Sequence, residues 1–155
     1  DIIVILDNIQ DPGNLGTILR TVDSVGLSQI ILSKNSGDVY NSKVVRSTMG
    51  AIFRVNVIES ENLVNTVKEL KKHKFTAIAT TLDTNKSIYD ITYKKTAIII
   101  GNEANGVSKE IQELADTKIK IPMLRKNRKF KCFSSNGNST IWICKAKTTI
   151  KNDKM

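Results

Sequence analysis

Apolar residues along the chain form short continuous runs, separated by segments in which they recur every three or four positions. The runs are of strand length, rich in β-branched residues, and apolar at successive positions. Strands buried on both faces of a parallel sheet typically have this pattern. The pattern therefore predicts an α/β fold, with a parallel sheet and helices on both of its faces. The runs lie at residues 2–6, 30–32, 54–57, 76–80, 96–100 and 119–121.

Three helices are expected between these runs. One is predicted from Asn14, as its N-cap, through roughly Val25, with Gly26 as its stop. A second spans residues 61–72, and a third follows Ser108. Ligands of such sheets bind beyond the carboxyl ends of the strands, so the loops at that edge are expected to carry function. These loops follow Leu6, Thr80, Ile100 and Ile121.

The first of these loops contains a glycine-rich turn into a helix. Gly13 and Gly16 are expected to let the backbone turn tightly and approach a ligand. Asn14 and Arg20 are spaced to share one helix face, and an arginine there offers a fork of donors for phosphate. The alternative is an ordinary strand-to-helix turn with a surface arginine. Neither the dinucleotide fingerprint nor the P-loop pattern is present.

The second informative turn follows the apolar run at 96–100 and places Glu103 between Gly101 and Gly106. A carboxylate at the carboxyl end of a buried strand is well placed to accept hydrogen bonds from a polar ligand. The alternative is a helix-entry turn in which Ser108 merely caps the helix. We favour the ligand role because ligands collect at this edge of the sheet.

Composition adds a charge asymmetry. The net charge is +9; residues 118–155 carry 11 Lys or Arg against one acid, whereas residues 1–117 carry 13 against 14. A basic segment suits a polyanion such as RNA. On charge alone, a solvated tail is the better interpretation.

Two cysteines, Cys132 and Cys144, form no CxxC pattern or Cys/His cluster, which argues against a zinc site and a disulfide framework. The apolar runs are far too short to span a bilayer. We therefore expect a cytoplasmic protein with no metal and no membrane partner.

Three motifs, taken together, resemble those of one enzyme family. Asn14-x-Gly16-x-x-x-Arg20 resembles the first signature of the SpoU (TrmH-like) RNA ribose methyltransferases. Gly101-x-Glu103-x-x-Gly106-x-Ser108 resembles the second, and Ile121-Pro122-Met123 resembles the opening of the third. Residues 43–53 also resemble a family segment. Each motif alone is weak, but their order and spacing over residues 1–124 make the resemblance specific.

The resemblance implies a SPOUT-type domain with a deep trefoil knot near its C-terminus, and a homodimer. It also implies S-adenosylmethionine as cofactor, held in a bent form by three knotted loops, and methyl transfer to a ribose 2′-hydroxyl of rRNA or tRNA. The cofactor-binding residues implied here are Thr80, Thr81, Leu82, Gly101, Asn102, Glu103, Gly106, Ile121, Met123 and Leu124.

The resemblance assigns the catalytic roles to Arg20, Asn14 and Glu103. Arginine is almost never deprotonated, so we expect Arg20 to orient a phosphate and lower the pKa of the hydroxyl, while a phosphate or water takes the proton. Asn14 is expected to place the hydroxyl in line with the methyl group, and Glu103 to orient loop and substrate. Arg46 is expected to bind RNA together with Asn14 and Arg20.

The chain departs from the family after Leu124, where a glycine and then a Ser-Leu-Asn signature are expected to open the knotted helix. Residues 125–137 lack that signature and any helical apolar period. Back-translated with AT-rich codons, residues 125–141 read one base later as GKIESLNVSVAMAILQ, which contains the signature. We interpret residues 125–155 as a frameshifted basic tail on a methyltransferase domain at 1–124. The alternative is divergence of a tolerant terminus.

Two rival functions are retained from the sequence. One is a non-catalytic RNA-binding remnant of the same fold that has lost its cofactor. The other is a generic nucleotide-binding domain, which would have an unknotted sheet and phosphate at the first helix N-terminus. Because the chain begins directly in a strand, we also expect that an N-terminal substrate domain is missing.

The tail generates the first prediction. It places Lys126, Arg128, Lys129 and Lys131 where the family has an apolar helix, and such charges cannot be buried unpaired. Isothermal titration of the 155-residue chain with S-adenosylmethionine should therefore give weak or no binding, and its dimer should be weakened. Micromolar binding would contradict the prediction.

Overall fold

The computed structural model describes residues 1–91, 94–102 and 104–120. In these ranges strands alternate with helices, beginning with a strand, except that β5 follows β4 with no helix between them. The elements are β1 (Ile2–Asp7), α1 (Pro12–Ser24), β2 (Gln29–Ser33), α2 (Ser42–Ser47), β3 (Asn56–Ser60), α3 (Leu63–Lys72), β4 (Thr76–Thr80), β5 (Thr96–Gly101), α4 (Lys109–Leu114) and β6 (Thr117–Ile119), with a 3₁₀ turn at Ala51–Phe53.

The strands form one sheet in the order β3-β2-β1-β5-β4-β6, and each neighbouring pair is parallel. The central pair is β1 with β5, in register from Ile2 opposite Thr96 to Asp7 opposite Gly101. The chain leaves β1 towards β2 on one side and leaves β5 towards β6 on the other. This reversal between adjacent strands is a topological switch point, where parallel sheets bind ligands.

Side chains of each central strand alternate between two apolar cores. Val4 and Leu6 of β1 pack with residues of α1 on one face, whereas Ile3 and Ile5 pack with Val67 of α3 on the other. Strands covered on both faces need apolar residues at every position, which explains the continuous runs in the sequence. The predicted α/β fold with helices on both faces of a parallel sheet is confirmed.

The start of α1 differs from the prediction. The N-cap is Asp11, whose side chain accepts a hydrogen bond from the Asn14 N–H at 2.7 Å. Pro12 occupies the first helical position, where its missing N–H costs nothing. Asn14 therefore lies within the first turn instead of capping it. The predicted stop is confirmed, since Gly26 has a left-handed φ of 67°.

The third strand also differs, since it was predicted at 54–57 and lies at Asn56–Ser60. It is an edge strand paired only with β2. Its outer side faces solvent, so polar residues such as Asn56 and Glu59 are tolerated there. These residues interrupt the apolar run by which the strand was predicted. The predicted helix at 61–72 is confirmed as α3, which Asn62 caps by accepting the Asn65 N–H.

The predicted knot and the tail at 125–155 lie outside the residues that the structure describes, as does the last residue of the predicted strand at 119–121. Within the ranges given above, no helix is both long enough and apolar enough to cross a membrane.

The burial pattern predicts unequal roles for two isoleucines. Ile98 of β5 is fully buried, whereas Ile58 on the edge strand is 42% exposed. Ile98→Ala should lower the free energy of unfolding by about 2–5 kcal/mol because it leaves a cavity in the core. Ile58→Ala, the matched control, should cost less than about 1 kcal/mol. Urea titration followed by circular dichroism measures both; equal losses would show that β5 is not the centre of the core.

Candidate functional site

The turns after β1 and β5 are joined directly at the carboxyl edge of the sheet. The side-chain amide of Asn102 donates through Nδ2 to the Asn8 carbonyl oxygen at 2.8 Å. The Asp7 carboxylate accepts the Ser108 N–H at 2.7 Å, whereas the Ser108 side chain makes no capping bond. Two of the four predicted loops, those after Leu6 and Ile100, therefore meet directly, and the loop after Ile121 lies outside the described ranges.

The β1 turn is also tied to the turn after β2. Asn8 has a φ of 59°, a left-handed conformation that asparagine tolerates better than most residues. Its N–H donates to the hydroxyl of Ser33 at 2.8 Å, and the Ile9 N–H donates to the hydroxyl of Ser36 at 3.2 Å. The Gly37 N–H then donates to the Ile9 carbonyl at 2.8 Å. The residues that lead from β1 towards α1 are thus held by the turn after β2 and, through Asn102, by the turn after β5.

The β5 turn folds back on itself. A Cβ at Gly101 would overlap the backbone of Gly106, so the position requires glycine. The Gly106 N–H donates to the Asn102 carbonyl at 2.8 Å, and Gly106 has a left-handed φ of 71°. Asn102 Oδ1 accepts the N–H groups of Ala104 and Asn105 at 2.8 and 3.1 Å. These bonds join residues 101 and 102 to residues 104–106 within the protein.

The turn after β4 lies at the same edge. Thr80 is buried, and its hydroxyl donates to the Ile99 carbonyl at 3.1 Å, so this side chain links β4 to β5 within the sheet. The Thr81 N–H donates to the Ile119 carbonyl at 2.8 Å, which ties this turn to β6. Leu82 is 68% exposed. Of the other predicted site residues, Glu103, Ile121, Met123 and Leu124 lie outside the described ranges.

Helix α1 carries Asn14, which is half-buried, and Arg20, which is exposed. Gly16 lies between them, and its role differs from the predicted ligand approach. A Cβ at Gly16 would lie 2.7 Å from the Cβ of Ser47 and would overlap its hydroxyl. Gly16 therefore lets α2 close on α1, which places α2, with Arg46 exposed on it, beside the predicted catalytic helix.

The arginines near α1 differ in how they are neutralised. Arg54 forms an ion pair with Asp23 at 2.7 Å. The Arg54 hydrogen bond holds the pKa of Asp23 below its usual value, and the carboxylate in turn raises the pKa of Arg54. Arg20 and Arg46 are in none of the ion pairs found within residues 1–91, 94–102 and 104–120. These two arginines therefore present positive charge without a carboxylate partner in that part of the chain.

A polar cavity of about 520 Å³ opens at the same edge, on the side of α3 and α4. Asn102 and Gly106 form part of its wall, whereas Asn14, Arg20 and Arg46 do not line it. Asn14, Arg20 and Arg46 therefore lie outside this cavity. Among the residues described, no group of three His, Cys, Asp or Glu side chains could hold a metal ion.

Comparison with known proteins decides the family. The sequence model of the SpoU rRNA Methylase family matches residues 1–130. This chain belongs to the SpoU rRNA methylase family. A tRNA/rRNA methyltransferase of Mycoplasma pneumoniae is 38% identical over 124 residues, which cover 78% of this chain and 51% of that protein.

Two further proteins similar to this chain are named as rRNA methyltransferases. A 23S rRNA guanosine 2′-O-methyltransferase of Bacillus subtilis is 34% identical over 122 residues, covering 78% of this chain and 49% of that protein. The crystal structure of an AdoMet-bound rRNA methyltransferase from Sinorhizobium meliloti has a TM-score of 0.85 and 29% identity, covering 96% of this chain and 56% of that one. The chain spans about half the length of the curated relatives it matches.

Sequence reasoning missed the residues that hold the SpoU signature turns together. Asp7 and Asn8 lie in the first of the predicted loops, but the sequence assigned no role to them or to Ser33. A signal was present, because an Asp-Asn pair directly after a buried strand often makes local hydrogen bonds. The partners of that pair lie about 25 and 95 residues away and could not be identified without the fold.

Gly16 generates a prediction about helix packing. A Gly→Ala change inside a helix normally stabilises it by about 0.5–1 kcal/mol. Here Gly16→Ala should destabilise the protein by about 1–3 kcal/mol, because the new methyl group overlaps Ser47.

A double-mutant cycle with Ser47→Gly tests this. The second change removes the side chain that Gly16→Ala would overlap, so Gly16→Ala should cost much less in the Ser47→Gly background. Thermal unfolding of the four proteins measures the coupling. Additive effects would show that the two positions do not share this contact.

Proposed function

We propose that the enzyme to which this chain belongs transfers a methyl group from S-adenosylmethionine to a ribose 2′-hydroxyl of rRNA or tRNA. Family membership and the reaction of the Bacillus subtilis relative support the proposal. The single observation that carries it is the hydrogen bond from Asn102 to Asn8, because it brings the second-signature turn against the turn that leads into the helix of Asn14 and Arg20.

The residues at this edge fit the cofactor. The turns after β4 and β5 lie side by side because their strands are neighbours. A Cβ at Gly106 would meet no atom of the described residues within 4 Å, so that part of the chain leaves room for a ligand to approach this backbone closely. Leu82 offers an exposed apolar side chain for an aromatic base. We expect Thr81 and Gly101 to line the same site, completed by Glu103, Ile121, Met123 and Leu124.

When bound, S-adenosylmethionine supplies an electrophilic methyl group. The residues of the chain must then bind and orient the ribose. Arg20 is exposed on α1 and keeps its charge, so its role is to hold a phosphate beside the target hydroxyl and lower the pKa of that hydroxyl. Arg46 lies on the helix packed against α1 and adds a second phosphate contact. Asn14 places the hydroxyl for attack, and Glu103 orients the turn and substrate.

A second candidate function applies to this particular chain. Residues 125–137 lack the third signature, so the chain as it stands would keep the RNA surface of α1 and α2 but lose much of its cofactor affinity. In that case it is a non-catalytic RNA-binding remnant. Homodimerisation, expected from the family, would depend on the same C-terminal segment. We place the active enzyme in the cytoplasm.

Methyl transfer can be measured with the protein whose reading frame is restored after Leu124. Incubated with unmodified rRNA or tRNA and labelled S-adenosylmethionine, it should incorporate methyl groups that make the adjacent phosphodiester resistant to alkali, as a 2′-O-methyl group does. No incorporation into any RNA would refute the enzymatic proposal. The 155-residue chain is expected to be inactive in the same assay.

Arginine variants test the assigned roles in this assay. Arg20→Ala should lower kcat by about 100-fold, because misplacing the ribose costs rate directly. Arg20→Lys should keep only part of the wild-type kcat, since a lysine lacks the planar fork of donors. Arg54→Ala is the matched control, because Arg54 is already paired with Asp23, and its activity should stay within about twofold of wild type. Equal losses in the Arg20→Ala and Arg54→Ala variants would remove the special role of Arg20.

A further inference from the structure

Asn102 uses both ends of its side-chain amide within the protein. Its Oδ1 accepts the N–H groups of Ala104 and Asn105, and its Nδ2 donates to the carbonyl oxygen of Asn8. The first set of bonds shapes the β5 turn. The second crosses to a different loop 94 residues away in sequence. A side chain occupied in this way is poorly suited to act as a direct cofactor ligand.

Asn8, at the other end of this bond, is held by hydrogen bonds to three other residues. The N–H of Asn8 donates to Ser33 of β2, and its carbonyl accepts from Asn102. Its own Oδ1 accepts a hydrogen bond from the Gln10 side chain at 2.8 Å. Asn8 also has the left-handed φ of 59°, so its conformation depends on these neighbours. These three contacts fix the conformation of the backbone just before the chain enters α1.

Only two residues separate Asn8 from Asp11, the N-cap that starts α1. A helix behaves as a rigid unit over a few turns, so the direction of the turn at Asn8 sets the position of Asn14 and Arg20 relative to the β5 turn. A small displacement matters, because an error of about 1 Å in a reacting geometry can cost about 100-fold in rate.

We infer that Asn102 is a positioning residue that couples the second-signature turn to the helix of Asn14 and Arg20, by shaping the turn with Oδ1 and holding Asn8 with Nδ2. The inference rests on the proposed function for its catalytic consequence, and on the structure alone for the coupling. It replaces the expected role of the Asn102 side chain as a cofactor ligand. The backbone of Asn102 remains available to line the cofactor site.

The two ends of the amide can be separated by substitution. Asn102→Asp keeps an acceptor in the position of Oδ1 but replaces the donor by an oxygen facing the Asn8 carbonyl. Asn102→Ser keeps a short acceptor, adds no charge and cannot reach Asn8. Asn102→Ala removes both functions. Asn105→Asp places the same new charge on an exposed residue of the same turn, and is the matched control for charge.

Amide hydrogen exchange measured by NMR on the 155-residue chain tests the coupling without cofactor or RNA. In Asn102→Asp and Asn102→Ser, the N–H groups of Asn8 and Ile9 should exchange about tenfold faster, the change expected for one lost hydrogen bond, while Ala104 and Asn105 stay within about twofold. In Asn102→Ala all four should exchange faster. Asn105→Asp should leave Asn8 and Ile9 unchanged.

Two results would overturn the inference. One is unchanged exchange at Asn8 and Ile9 in both the Asp and Ser variants, which would make Asn102 a residue of its own turn only. The other is equally faster exchange at all four positions in those variants, which would mean that Oδ1 and Nδ2 of Asn102 do not have separate roles. If the Asp variant does not fold, the uncharged Ser variant decides between the same outcomes.

The effect of this coupling on catalysis is measured with the enzyme whose reading frame is restored after Leu124. Asn102→Asp should lower kcat by about 10- to 100-fold while the KM for S-adenosylmethionine stays within about twofold, because the cofactor turn keeps its shape. Parallel changes in kcat and KM would contradict a positioning role. If the wild-type enzyme shows no methyl transfer, the proposed function has failed, and the exchange experiment still decides the coupling independently.

Discussion

The arrangement of the site depends on the parallel pairing of β1 with β5. This pairing places Asp7 opposite Gly101, two positions that are 94 residues apart in sequence. The turns that follow both strands then start side by side, which allows the Asn102–Asn8 and Ser108–Asp7 hydrogen bonds to form. Nine residues from the two strands support this pairing with buried apolar side chains, so the polar turns are carried by the most buried part of the sheet.

Two glycines of the SpoU signatures serve packing before they serve any ligand. Gly16 allows α2 to contact α1 through Ser47, and Gly101 allows the β5 turn to fold against its own backbone. In both places a methyl group would displace elements that carry predicted site residues. Gly106 is different, because the space beside it is open. A ligand approaching the backbone is therefore expected at Gly106 and not at the other two.

The C-terminal departure from the family has a physical cost that the domain at 1–120 does not share. The strands and helices of that domain bury two apolar cores on opposite faces of the sheet. The family match ends at residue 130, close to the point where the basic residues begin. The sheet depends on the buried strands, whereas the proposed cofactor site is expected to need the segment after Leu124 as well, so we expect that fold and cofactor affinity can be lost separately.

The sequence by itself determined the buried strands, the helices on both faces and the family, because a strand covered on both sides must be apolar throughout and the signature spacings are local. It also identified the two turns that meet at the sheet edge. Only the tertiary structure decided that the edge strand begins at Asn56 and that Gly16 accommodates Ser47. The same holds for the Asn102 side chain, which bonds to Asn8 instead of pointing to a ligand. Each of these outcomes depends on a partner distant in sequence or on solvent at a sheet edge, and no local pattern carries that information.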